Sequence, residues 1–274
     1  MNSIEDFKSI VSAFKCESTE ETKIVQKSTY KVTKTNKKSN RKEIKISKQI
    51  DTINLPDLAR SLDSNLKVLF IGYNPGVQSS IQQHHYAHHS NLYWKLFRQS
   101  KLLEKIVELE ESKDPNIFED DLNLKTLLEN GCTAKDDFDI IKYKIGFSDL
   151  CSRCTKRADE LTSHEKFDNV KRLIGEIYET NTNTVVLIGK GIWETFIKFY
   201  SLELNIKFKL TKDNFQWGEV MIGNDNVYNK LINHIQSLIP SNTKIHVFPS
   251  TSGLVAGITF AEKLRLWETM VDRI

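Results

Sequence analysis

The feature that most constrains this chain is a repeated pattern. A run of four or five apolar or β-branched residues stops abruptly at a turn, and a helix-length amphipathic stretch follows. Val68–Ile71 runs straight into Gly72-Tyr73-Asn74-Pro75-Gly76, and Thr184–Ile188 ends at Gly189-Lys190-Gly191; Lys244–Phe248, where Lys244 and His246 alternate with Ile245, Val247 and Phe248, reads as a further strand and ends at Pro249. Runs without polar alternation suit strands covered on both faces, as in a parallel sheet. Helices fit Asn91–Leu109, Glu165–Tyr178, Ile192–Tyr200, Asp225–Ile239 and Phe260–Ile274, and a weaker strand fits Phe215–Met221. Residues 111–140 are acid-rich and irregular, and read as an insertion or a short helical excursion. The predicted class is α/β: a three-layer α/β/α arrangement with a central, mostly parallel sheet.

At 274 residues the chain can bury one sizeable core and carry a tail. Its net charge of +3 identifies no partner, but the distribution of charge is uneven. Residues 23–48 hold ten Lys or Arg and a single acid, Glu43. Such a segment buries too little apolar surface to offset its ordering entropy, so residues 1–52 are expected to be disordered and 53–274 to form the folded domain. The basic segment reads as a nuclear targeting signal or an electrostatic hold on a phosphate backbone; a plain solubilising tail is the bland alternative. Ile4, Phe7, Ile10, Val11 and Phe14 share one helical face, which suits a docking peptide for another protein or a transient helix without a role. No secretory apolar region opens the chain and no apolar run reaches membrane length, so the four cysteines are expected as reduced, intracellular thiols. Cys151-Ser-Arg-Cys154 has no second pair or suitably spaced histidine to complete a metal site.

In open parallel sheets, ligands bind beyond the carboxyl ends of the strands. Two loops fit that position, Gly72–Gly76 and Pro249–Gly253. In the first, Pro75 and Gly76 turn the backbone just after Asn74. The Asn74 side chain does not ionise; it can orient a water or read an amide-like edge but cannot act as a strong base. Taken alone, Asn-Pro-Gly is merely a turn sequence. Downstream, His84-His85-Tyr86-Ala87-His88-His89 offers imidazoles and an aromatic face, with neither an HExxH nor a zinc-finger spacing. The second loop, Pro249-Ser250-Thr251-Ser252-Gly253-Leu254, is rich in small donors suited to phosphate, and Leu254 suits an apolar wedge.

Gly72-Tyr-Asn-Pro-Gly76 resembles the Gly-Ile-Asn-Pro-Gly motif of the mismatch-specific uracil-DNA and thymine-DNA glycosylases. The spacing from Asn74 to Tyr86 and on to His88-x-x-Asn91-x-x-Trp94 is similar to that family without a gap. Gly146-Phe-Ser-Asp-Leu-Cys-Ser-Arg153-Cys-Thr155, Val185–Lys190 and Pro249-Ser-Thr-Ser-Gly-Leu254 resemble its later motifs, in the same order. The resemblance spans roughly residues 66–272. It implies a uracil-DNA glycosylase-like fold and a monofunctional glycosylase, free of metal and cofactor, that acts on double-stranded DNA containing G·U or G·T mispairs. It implies that the target nucleotide is flipped between the two loops, that Asn74 orients the attacking water and that Tyr86 stacks on the base. Backbone near Tyr73 would hold the base carbonyl edge, while Ser250, Ser252, Gly253 and Leu254 would grip phosphate and fill the helix. Ser79 stands where the uracil-processing branch also has Ser, which favours uracil over thymine. Tyr73 replaces the usual Ile, Asp149 replaces Lys or Asn, and no arginine follows Leu254. A monomer in the nucleus is expected, with a protein partner or import receptor on the tail. The alternatives are a catalytically weak lesion-recognition protein of the same fold and a nucleotide-binding enzyme. The latter lacks the Gly-x-Gly-x-x-Gly or Gly-Lys-Ser/Thr loop it would need.

Overall fold

The computed structural model describes residues 55–253 and 257–274. The N-terminal helix expectation, the basic segment and Leu254 lie outside these residues. The described chain runs β1 (Val68–Gly72), α1 (Val77–Gln82), α2 (Tyr93–Gln99), α3 (Leu102–Glu111), α4 (Leu122–Asn130), β2 (Ile145–Asp149), α5 (Ser163–Asp168) and α6 (Val170–Glu179). It continues through β3 (Thr184–Ile188), α7 (Lys190–Glu203), β4 (Gly218–Glu219), α8 (Asn226–Ser237), β5 (Lys244–Phe248) and α9 (Phe260–Val271). The sheet order is β2-β1-β3-β5-β4. The first four of these strands are parallel, and β4 adds a short antiparallel edge.

Every residue of β1 and β3 is buried. Alternation along each strand divides the side chains between two apolar layers. Val68, Phe70, Phe147, Val186, Ile188 and Phe248 face a cluster built with Tyr93, Leu96 and Phe97 of α2, Leu103 and Ile106 of α3, and Trp267 and Met270 of α9. The opposite layer contains α7, which packs on β3 and β5 and against α6 and α8. This is the three-layer α/β/α architecture expected from the strand–helix alternation.

The helix over Asn91–Leu109 is instead two helices, because Lys101 takes a left-handed conformation (φ 57°) between α2 and α3. At 3.6 residues per turn an unbroken helix continuing the Tyr93–Leu96–Phe97 face would point Leu102 outward and Glu104 into the core. The break restores the phase, and Leu102, Leu103, Ile106 and Val107 are all buried. The helix over Glu165–Tyr178 also divides, at Asn169, whose side-chain amide donates to the Glu165 carbonyl at 2.7 Å and competes with the helical ladder. Within the acid-rich stretch, α4 is capped by Asp121 and packs Leu124 and Leu127 into the core. The Phe215–Met221 strand shrinks to two residues.

The strand that had no apolar run to announce it is β2, at the edge beside β1. Its Gly146 lies against Leu66 and the Ser61 carbonyl, and its Ser148 hydroxyl donates to Glu176 at 2.6 Å. Glu176 is buried on α6 and also accepts from Arg60 and from Arg172 (2.5 Å). Arg172 in turn donates to the carbonyls of Asp149 (2.6 Å) and Leu150 (3.1 Å), tying the end of β2 to α6. Glu176 is the buried member while Arg60 is half-exposed, so Glu176→Ala, which leaves Arg172 and Ser148 without their shared acceptor, is expected to cost about 2–3 kcal/mol in urea unfolding. Ser148→Ala should cost only about 1 kcal/mol.

Candidate active site

Beyond the carboxyl ends of the strands lies a cavity of about 690 Å³, lined by both loops singled out in the sequence. Tyr73 and Asn74 come from the loop after β1, Ser79 from α1, His85 and Tyr86 from the loop after α1, Asp149 from the end of β2, and Ser250, Ser252 and Gly253 from the segment after β5.

The site is held together by pairing that outlasts the strands. Gly72 and Asp149 are register partners at the last position of β1 and β2. Past them, Leu150 N donates to Gly72 O (2.8 Å), Cys151 N to Tyr73 O (3.1 Å) and Thr155 N to Pro75 O (3.2 Å). The loop carrying Asn74 is therefore laced to the segment after β2. The Asn74 amide nitrogen donates to Thr155 Oγ1 at 2.7 Å and to the Arg153 carbonyl at 3.0 Å. A backbone carbonyl can only accept, and the Thr155 hydroxyl proton is committed to the Arg157 carbonyl at 2.8 Å. Those partners settle which end of the carboxamide is nitrogen, and they leave Oδ1 as the acceptor available to a water.

Tyr86 sits at φ 54°. One face of its ring lies on the buried Tyr93 ring at 4.0 Å between centroids and 7° between planes, which leaves the other face to the cavity. Its hydroxyl is buried and has no hydrogen-bond partner among the described residues. Ser79 is buried, and its hydroxyl accepts from Ala87 N at 3.2 Å, fastening the loop that bears Tyr86. The Tyr73 ring packs on Gly191 at the start of α7 and under the Lys166 ammonium, 5.9 Å from the ring centroid.

The second loop is pinned from below and from the side. Lys263 of α9 is 2% exposed and donates to the Ser250 carbonyl at 2.8 Å, and its burial holds the ammonium below its usual pKa. Leu92 N donates to Thr251 O, and the Ser250 hydroxyl accepts from Ser252 N at 3.3 Å. Gly253 lies so close to Ser90 that a Cβ there would come within 2.6 Å of its hydroxyl.

Asp137, Thr155 and Lys263 carry no role that residue type alone reveals. Asp137 is fully buried and accepts from His85 N (2.7 Å) and from the Nδ1 atoms of His85 and His84 (2.8 Å each). Burial alone would raise its pKa, but those hydrogen bonds outweigh it and the net shift is downward. The histidine pair is thus a scaffold for the Tyr86 loop. No local motif marks Asp137, which lies more than fifty residues away in sequence. Cys151 and Cys154 are buried free thiols, and burial pushes both up, Cys151 to about 11.

Residues 59–270 match the model of the Uracil DNA glycosylase superfamily. The chain belongs to that superfamily. A G/U mismatch-specific uracil DNA glycosylase of Schizosaccharomyces pombe (strain 972 / ATCC 24843) is 25% identical over 233 residues, 84% of this chain and 58% of that relative. The chain therefore spans less than two thirds of the relative's length.

Within this superfamily member the unusual group is Asp149. Burial, opposed by His85 and Arg172 and assisted by Glu176, raises its carboxyl from 3.8 to about 6. A folded-state pKa above the unfolded value means the folded chain binds the proton more tightly. Stability is therefore lost as pH rises from about 4 through about 6, to the extent of about 3 kcal/mol. Asp149→Asn should raise the unfolding midpoint at pH 8 and leave it nearly unchanged at pH 4, as thermal denaturation at the two pH values would register.

Proposed function

We propose that this chain is a monofunctional DNA glycosylase that hydrolyses the N-glycosidic bond of uracil mispaired with guanine, with thymine released more slowly, in base excision repair. The observation that carries this reading is the Asn74 carboxamide, whose nitrogen is held by Thr155 and Arg153 so that its oxygen is presented as an acceptor. Superfamily membership and the G/U mismatch-specific relative support the same chemistry.

The target nucleotide leaves the duplex and enters the cavity, at a cost of a few kcal/mol that is smallest at a mispair. The free face of Tyr86, rigid on Tyr93, receives the base. Cleavage builds positive charge on the sugar and negative charge on the departing pyrimidine. An electrophilic sugar needs little base assistance, so a neutral Asn74 that aligns the water is sufficient. Neither of the two loops carries a lysine, and Lys263 is engaged beneath the second, which supports a purely hydrolytic reaction. Ser250, Ser252 and Gly253 with Leu254 grip the backbone and fill the vacated stack, while exposed Lys156 at the cavity adds positive charge toward phosphate; its neighbour Arg157 is paired with Asp159. The protein works as a monomer in the nucleus, where residues 23–48 engage DNA or an import receptor.

Single-turnover release of free base from duplexes carrying G·U, G·T or A·U tests this directly. Release is expected fastest from G·U and slower from G·T. Asn74→Ala should lower the G·U rate by on the order of 10²–10³. Tight G·U binding without release from any duplex would overturn the glycosylase reading and leave a lesion-recognition protein of the same fold. Thr155→Val, which removes one of the acceptors that hold the Asn74 amide but keeps the volume, is expected to lower the G·U rate by about tenfold without weakening duplex binding, because the carboxamide is then held less firmly, by the Arg153 carbonyl alone among strong partners.

A further inference from the structure

Asp149 is a carboxyl group at the wall of a cavity that must accommodate a developing anion. It sits at the last position of β2, beside Gly72, and its side chain reaches across that glycine toward Tyr86. A Cβ on residue 72 would lie 2.1 Å from Asp149 Oδ1 and 3.1 Å from the Tyr86 hydroxyl. Only glycine at position 72 leaves room for both groups. Among the described residues no hydrogen bond reaches the Asp149 carboxyl oxygens, and the buried Tyr86 hydroxyl beside them is also without a partner. The partnerless Tyr86 hydroxyl and the half-buried Asp149 carboxyl, both lining the cavity, are arranged for a ligand with complementary donors and acceptors.

We propose that Asp149 reads the edge of the flipped pyrimidine as a neutral carboxyl group, donating its proton in a hydrogen bond to a base carbonyl oxygen and accepting from the adjacent ring N–H. This rests on the glycosylase reading above and names the group that recognises its substrate. The two atoms of a carboxylic acid, one donor and one acceptor, match the carbonyl and N3–H that lie side by side on uracil. An ionised carboxylate can still accept from N3–H, but its second oxygen then faces the carbonyl oxygen and repels it. The repulsion grows in the transition state. The C1′–N1 bond breaks with its electron pair on the base, that charge spreads to the base carbonyl oxygens, and the water oxygen bonds to C1′ and later loses a proton to solvent. The neutral carboxyl stabilises this charge, and the carboxylate opposes it.

The charged and titratable surroundings are consistent with a group poised near neutrality. His85 and Tyr86 approach from the loop after α1, with Asp137 behind His85; Arg172 and Glu176 approach from α6, and Arg172 spends its donors on Glu176 and on the Asp149 and Leu150 carbonyls rather than on the Asp149 side chain. With cavity water displaced by a base, the neutral form is favoured further.

The test has two arms, run from pH 5 to pH 9 on the full chain and on Asp149→Asn. The first is single-turnover uracil release from a G·U duplex. The rate for the unaltered protein is expected to fall towards tenfold per pH unit above the carboxyl's ionisation, whereas Asp149→Asn should be nearly flat and faster at pH 8.5. The second arm is binding of a duplex with 2′-fluoro-arabino uridine opposite guanine, whose glycosidic bond resists cleavage. Affinity should weaken with pH for the unaltered protein more steeply than for Asp149→Asn. Release with the same pH profile in both proteins would overturn the role of Asp149 and leave the glycosylase reading standing. No release, but binding whose pH dependence disappears in Asp149→Asn, would support the edge reading and overturn the glycosylase activity. Identical pH dependence of binding in the two proteins, with no release from either, would overturn both.

Discussion

The site depends on the continuation of the β1–β2 pairing beyond the strands themselves. Ordinary parallel strands part company at their carboxyl ends and their loops go separate ways. Here the hydrogen bonds from Leu150 to Gly72, Cys151 to Tyr73 and Thr155 to Pro75 carry the two segments forward together. Asn74 and Thr155 become neighbours across 81 residues of sequence because of that lacing. An amide whose orientation is settled before substrate arrives loses little entropy in the reaction, the condition under which a positioned neutral group is effective.

Polar groups supply the rigidity around this cavity as much as apolar packing does. Glu176 gathers Arg60, Arg172 and Ser148 behind β2; Asp137 gathers His84 and His85 behind Tyr86; Lys263 holds Ser250 from beneath. Each is a buried ionisable group with hydrogen-bonding partners, and each fixes one wall. Buried charges are costly to assemble and add little net stability over apolar residues of the same shape. Their value here is geometric: directional bonds place a loop where dispersion contacts alone would leave it free to slide. Asp149 contrasts with them. Its carboxyl ionises less readily than a free one, yet among the described residues no hydrogen bond reaches it, a combination found at groups that meet a ligand.

Much of the molecule is legible from its amino-acid order. Strands β3 and β5 coincide with the stretches read as strands at 184–188 and 244–248, and β1 extends its run by the single residue Gly72. Both cavity loops follow from the rule that ligands bind beyond the carboxyl ends of parallel strands. The less legible parts share a cause. Strand β2 contains Gly146 and Ser148 because it must clear Ser61 and serve Glu176, so its pattern carries no apolar signal. The break at Lys101 follows from the phase of side chains that meet a common core, and α4 is recognisable only once Leu124 and Leu127 have something to pack against.

Amino-acid order alone accounts for the layered α/β class, the two loops and the place of Asn74 just past a strand, because periodicity and turn chemistry are local properties; Tyr86 and Asp149 stand out only through the family resemblance. Folding decides which way each of those side chains is held. The orientation of the Asn74 amide depends on Thr155 and Arg153, the exposed face of Tyr86 on Tyr93, and the raised pKa of Asp149 on burial among His85, Arg172 and Glu176. Hydrogen-bond direction and desolvation are set by groups distant in the chain, and they come into being only when the sheet brings those groups together.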